Sequence, residues 1–214
     1  MKRYLAEVCG TALIVIAVVG SGIMATNLTM DSGVQLLINC MSTVLALYIA
    51  IVSFRDISGA HFNPIVSMIA GVKGTLSSIQ VLFYVVAQAI GALAGVAIAN
   101  SFFGKEAWAI SSTTRSGTAT LFAEVLASAG LIIVIFAGWM KISQDLRAAL
   151  ISIWIASAYF FTSSTSFANP VVSLGRVFTD SYAGISPQSF IYFAMAQLLG
   201  GILAFGFVKV MDSQ

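Results

Sequence analysis

Most of the polar residues able to do chemistry in this chain occur twice, in the same order. Asn63-Pro64-Ile65-Val66-Ser67 recurs as Asn169-Pro170-Val171-Val172-Ser173, Ala6-Glu7-Val8 as Ala123-Glu124-Val125, and Ala87-Gln88 with Gly91 as Ala196-Gln197 with Gly200. Asn is a favoured N-cap and Pro suits the first helical position, where its missing N–H is not needed, so each Asn-Pro reads as a helix start. A capping Asn accepts a first-turn N–H with its side-chain oxygen and keeps amide donors for something else. Such donors at the positive end of a helix dipole bind an oxygen of a solute and repel cations. That is recognition chemistry without bond making. The hydroxyl run Thr162-Ser163-Ser164-Thr165-Ser166 has no Gly-x-Ser-x-Gly frame, and His61 is the single histidine, so no hydrolytic constellation is expected. Cys9 and Cys40 lie in apolar runs without metal-type spacing and read as small buried hydrophobes; no metal and no cofactor are expected. Glu7 and Glu124 are ionisable residues in apolar surroundings, which raises either proton coupling or a structural brace.

The elements that must position these residues are membrane helices. The chain is 59% hydrophobic and only 8% charged, with mean hydropathy +0.98, against about 25% charged in soluble domains. No basic face suggests nucleic acid as a partner. Apolar segments fall at about 4–26, 34–54, 79–101, 117–139, 146–162 and 188–210, most of them near the ~20 residues a crossing needs. The first follows Met1-Lys2-Arg3 and carries Glu7, so it reads as a retained helix, not a signal peptide. Lys2, Arg3, Arg55, Lys73, Lys141, Arg147 and Lys209 fall on the side of the termini, and Lys105, Arg115 and Arg176 opposite. That bias places both termini in the cytoplasm, as expected for a multi-pass protein of the inner cell membrane.

Two apolar stretches, 63–72 and 169–178, are too short to cross; at 1.5 Å per residue each covers about half of a ~30 Å hydrocarbon core. They enter from opposite sides and can meet at the midplane, where irregular backbone is tolerated only if protein buries it or water lines it. Three crossings per half make the second copy inverted, and inverted repeats with broken helices put permeation sites at their interface. The expected architecture is all-α, one domain over 1–214, with repeat halves at about 1–105 and 116–214. Small residues at Ala87-Gly91-Gly95 and Ala196-Gly200-Ala204 permit close helix packing.

Ser58-Gly59-Ala60-His61-Phe62-Asn63-Pro64 resembles the first pore loop of the major intrinsic protein family, the aquaporins and aquaglyceroporins. The second Asn-Pro, both glutamates and both glutamines agree in order and approximate spacing, so the resemblance spans nearly the whole chain. It implies six crossing helices plus two re-entrant half-helices, one pore per protomer, a homotetramer in the lipid bilayer, and passive conduction of water or small neutral solutes. It gives Glu7 and Glu124 the role of bracing the pore loops, and puts His61 in the cytoplasmic vestibule. The pore centre would be Asn63, Pro64, Ile65, Asn169, Pro170 and Val171, with Ile65 and Val171 where the family has Ala. The family carries Arg directly after the second Asn-Pro-Ala; this chain has Val172 there. Counting back without gaps puts the other outer-filter positions at Thr43, Ser157 and Ser166, a small-sided, uncharged ring wider than a water filter. Arg176 sits more than a turn past Val172, which puts it at the outer surface, beside Asp180 or the helix-end carbonyls; an Arg176 swung into the pore is the alternative.

The expectation is therefore an aquaglyceroporin-type channel for glycerol, urea, water or undissociated arsenous acid. Some family members that lack the filter Arg resemble this chain and are associated with arsenic handling. Two other readings remain: a secondary transporter with inverted repeats coupled through Glu7 or Glu124, and a non-conducting scaffold with its midplane crowded by Ile65 and Val171.

Overall fold

Polar caps mark where the helices begin. In a computed structural model describing residues 1–213, the Asp31 side chain accepts from the Val34 N–H and opens α2, Ser32–Ser58. Ser77 and Gln80 form a reciprocal capping box at the start of α4, Ser78–Phe102. Ser143 caps α6, Gln144–Phe161, and Ser186 caps α8, Pro187–Asp212. The remaining long helices are α1, Lys2–Leu28, and α5, Thr118–Phe136. Asn63 and Asn169 start the two short ones, α3 at Pro64–Val72 and α7 at Pro170–Val177, each with Pro in the first turn.

Five helices, α1, α2, α4, α5 and α8, are long and apolar enough to cross a membrane. The sixth, α6, has 18 residues, about 27 Å of helix, with Asp145 and Arg147 confined to its first turn. The fold is thus six transmembrane helices and two half-helices. The span expected over 117–139 ends at Phe136 instead. There the Arg147 guanidinium donates to the carbonyls of Val134, Ile135, Ala137 and Met140, satisfying the helix end and turning the chain early. Exposed Leu45, Ile49, Phe122, Ile202 and Leu203 give the outside an apolar coat, while Glu7, Gln88, Glu124 and Gln197 are fully buried. That inside-out distribution suits a lipid solvent.

The two halves pack alike. α1 lies against α4 in the first half and α5 against α8 in the second. A Cβ at Gly91 would come within 2.4 Å of the Val8 carbonyl oxygen, and one at Gly200 within 2.3 Å of that of Val125. The small-residue spacing therefore brings α4 onto α1 and α8 onto α5 at backbone contact. α3 packs on α4 and α7 on α8, and the half-helices also touch each other.

Candidate functional site

The loops ahead of the half-helices take a backbone path that L-residues avoid. Gly59, Ala60 and Phe62 have φ of 85°, 51° and 48°; Thr165, Ser166 and Ala168, at the same offsets before the second Asn, have 60°, 51° and 49°. Left-handed backbone costs an ordinary residue roughly 1–2 kcal/mol, so something must hold these turns. The two glutamates do. Glu7 accepts from the His61 and Phe62 N–H groups at 3.0 and 2.7 Å, from Ser58 Oγ and from Gln88 Nε2. Glu124 accepts from the Phe167 and Ala168 N–H groups at 2.9 and 3.0 Å and from Gln197 Nε2. The same glutamines donate to Ser67 Oγ and Ser173 Oγ, tying each half-helix to the long helix behind it.

At the tips, Asn63 Oδ1 accepts from Ile65 N–H and Asn169 Oδ1 from Val171 N–H. Asn63 Nδ2 donates across to the Ala168 carbonyl at 3.0 Å, and Asn169 Nδ2 to that of Phe62 at 2.8 Å. These crossed bonds lock the two tips together. They consume one amide hydrogen of each Asn and leave the second, and both side chains border one narrow lumen of about 70 Å³, room for roughly five waters. The lumen wall runs from Ala60, His61 and Phe62 at one end, past Val18, Ile151 and Ile155, to Tyr159, Ser166, Phe167, Val172 and Arg176 at the other. Its apolar stretches leave few places to hydrogen-bond besides the Asn pair and the two ends.

Of the residues expected at the pore centre, only Asn63 and Asn169 face the lumen. Pro64 and Pro170 start the half-helices. Ile65 packs behind, in a cluster with Val66, Ile69, Ile132 and Ala204 and against Gly201, and Val171 lies in the main core. Neither crowds the midplane, because N2 of each half-helix points away from the tip contact. His61 borders the lumen and a second pocket that opens beside Arg55, Gln144 and Arg147, with its Nδ1 at 3.0 Å from Ser67 Oγ. Glu7 and Glu124 are absent from the lumen wall.

The outer throat differs from the ring expected. Thr43, Ser166 and Val172 are in its wall; Ser157 is not, being exposed on the outside of α6. The lumen face of α6 is Ile151, Ile155 and Tyr159, spaced by four residues, so counting without gaps missed the register by two. Tyr159 brings a ring and a hydroxyl, and the throat is not small-sided. Nor is it uncharged. Arg176 is 2% exposed and borders the lumen. It follows Val172 by four residues, which is one turn on the same helix face, and helical side chains lean toward the N-terminus. The guanidinium therefore reaches back into the throat. Its carbon sits 3.3 Å from the centre of the Phe167 ring, and its Nε donates to the Ala183 carbonyl. Asp180 is not its partner: that carboxylate accepts from Ser112 N–H and Oγ. Sequence reasoning missed Phe167 and Tyr159 as well, although the fourfold spacing from Ile151 pointed to Tyr159.

Paired half-helices in an inverted repeat, with capping asparagines on a shared lumen, define a membrane channel built on broken helices. The Major intrinsic protein family matches residues 1–166, and the chain belongs to that family of aquaporins and aquaglyceroporins. The aquaglyceroporin AqpS of Rhizobium meliloti is 40% identical over 208 residues, covering 97% of this chain and 89% of that one. Glycerol uptake facilitator protein-like 6 of Lactiplantibacillus plantarum is 26% identical over 226 residues and the whole of both chains. The X-ray structure of the aquaglyceroporin from Plasmodium falciparum superposes with TM-score 0.78 at 18% identity, covering 100% of this chain and 99% of that one; it shares the fold.

Proposed function

We propose that residues 1–214 form one channel domain that conducts small uncharged polar solutes passively, as an aquaglyceroporin: glycerol, undissociated arsenous acid and water. The observation that carries this reading is the single lumen bordered by His61, both capping asparagines and the throat residues, and not by Glu7 or Glu124. Carboxylates fully enclosed and occupied by backbone donors are braces. A proton-coupled transporter needs them where the solute passes.

The chemistry fits the solute class. A triol or a trihydroxy acid offers acceptor oxygens to the Asn63 and Asn169 amides and donors to the throat hydroxyls, while its carbon or metalloid core slides along the aliphatic wall. The half-helix N-termini, each equivalent to roughly +0.5 charge, disfavour cations at the midplane. Val172 leaves that part of the outer wall aliphatic where the family has Arg. The protein resides in the inner cell membrane with both termini cytoplasmic, works as a homotetramer, and is not an enzyme.

The test is stopped-flow light scattering of proteoliposomes against water, glycerol, urea and arsenite. Fluxes linear in concentration and well above those of empty liposomes are expected, with Val172→Arg depressing glycerol and arsenite more than water. Saturable or pH-gradient-dependent uptake, or flux no higher than from lipid alone, would overturn the reading.

A further inference from the structure

A second arginine lies behind the outer throat. Arg115, from the long connection between α4 and α5, donates from Nε to the Gly184 carbonyl at 2.9 Å and from Nη2 to the Tyr182 carbonyl at 3.1 Å. Arg176 Nε takes the Ala183 carbonyl between them. Three consecutive carbonyls are thus claimed by two guanidinium groups. Both groups also flank one ring, Phe167, with Arg115 at 5.1 Å and Arg176 at 3.3 Å from its centre. The connection is fastened to the segment it grips: Ala109 and Ser111 N–H donate to the Phe178 and Val177 carbonyls, and Ser186 N–H to that of Thr113.

No carboxylate among the described residues forms a salt bridge with this pair, although Glu124 lies near enough to attract both. The one ion pair among the described residues is Arg55–Asp145, on α2 and α6 at the opposite mouth. Asp180 is turned to Ser112, and the oxygens of Glu124, on α5, are directed to the Phe167 and Ala168 N–H groups and Gln197. Among the described residues only Nε of Arg176 has a protein acceptor, and its terminal nitrogens are not among the sealed, unpartnered atoms. They open on the lumen that Arg176 borders. Ser166 Oγ, in the same wall, is buried without any partner.

We propose that Arg176 is the specificity-determining cation of the outer throat, standing in from one turn further along α7 for the Arg that Val172 replaces, and that Arg115 is its positioning residue. Arg176 Nη groups form a donor patch one turn above the aliphatic side chain of Val172 on the same face of α7, with the guanidinium set over the Phe167 ring. A solute with clustered hydroxyl or oxo acceptors passes these donors; a cation meets a guanidinium that no salt bridge pairs. Arg115 acts indirectly, by fixing the Tyr182 and Gly184 carbonyls on either side of the one that Arg176 binds, and by resting on the same Phe167 ring. The inference rests on the chain conducting neutral solutes, as proposed above.

The experiment measures glycerol flux and sodium leak side by side in proteoliposomes of the full chain. Arg176→Gln is expected to raise sodium leak by about tenfold or more, since a unit charge within a few ångströms of the path dominates the barrier, with monodisperse elution of the purified variant as evidence of folding. Arg176→Lys keeps the charge and should keep sodium out while lowering glycerol flux, because a lysine lacks the two-pronged donor. Arg115→Gln should raise the leak in the wild-type background and add nothing to Arg176→Gln, the non-additivity expected of residues acting through one another. Arg115→Lys should recover part of the effect. Wild-type protein with no glycerol flux sinks the channel reading itself. Wild-type flux with an unchanged leak in Arg176→Gln overturns the assignment of Arg176, and an Arg115 effect that persists in the double variant overturns the positioning role.

Discussion

Replacing Glu124 separates a structural brace from a proton carrier. Its Oε1 accepts from Phe167 N–H at 2.9 Å, and its Oε2 from Ala168 N–H at 3.0 Å and Gln197 Nε2 at 2.6 Å. Glu124→Ala strands all three donors in a buried site; at about 1–3 kcal/mol each, the loss is about 3–9 kcal/mol, comparable to the whole stability of many domains. Glu124→Gln is milder. Its amide oxygen can take the Oε2 position and keep two donors, leaving an NH₂ group facing the Phe167 N–H, at a cost of about 1–3 kcal/mol. Three left-handed residues, Thr165, Ser166 and Ala168, depend on that tether, so the second throat loop should loosen first. The assay is thermal unfolding of the purified protein alongside proteoliposome glycerol flux. Stability and flux should both fall in the order wild type, Glu124→Gln, Glu124→Ala, with flux remaining linear and independent of a pH gradient. If Glu124→Gln unfolds like wild type, or if it abolishes a pH-driven component of uptake, the brace is refuted and proton coupling through Glu124 takes its place.

Two further outcomes follow from the helix packing and the outer loop. Gly91→Ala puts a Cβ at 2.4 Å from the Val8 carbonyl oxygen and should destabilise by about 1–3 kcal/mol as α4 is pushed off α1. Gly206→Ala, on the same class of helix with nothing within 4 Å, should be neutral or slightly stabilising; equal melting temperatures for the two variants would refute the backbone contact. The Ser112 N–H and hydroxyl hold the exposed Asp180 carboxyl below its usual range. The contribution of that tie is full above the unfolded Asp value of about 3.9 and is lost as pH falls through the lower folded value. Hydrogen-exchange protection at Ser112, corrected for intrinsic rates, should therefore stay constant from about pH 5 to 8, and fall at any pH in Asp180→Asn.

Much of the brace was legible in the chain itself. Glu7 with Gln88 and Glu124 with Gln197 stand out because a carboxylate or an amide in an apolar helix needs a partner, and the family resemblance implied that the glutamates' partners are the loops before Asn63 and Asn169. The half-helices were legible for the same kind of reason: Asn-Pro fixes a start, and length against bilayer thickness shows that they stop midway. The end of α5 was not, because the Arg147 contacts that terminate it come from another helix.

What the sequence by itself determined is everything governed by local periodicity, capping and the cost of polar groups in lipid: six crossings, two broken helices, an inverted repeat and the residues that brace it. Only the tertiary structure decided the throat. Ser157 and Tyr159 differ by two positions on α6, and which of them borders the lumen depends on how α6 is rotated against α2, a packing outcome with no local signature. Its distance from Val172, more than a turn of helix, favoured the outer surface for Arg176 and left a swung-in position as the alternative. A long side chain, however, acts where its tip lies, and Phe167 from the second pore loop and the 182–184 segment, itself held by Arg115, fix that tip in the lumen.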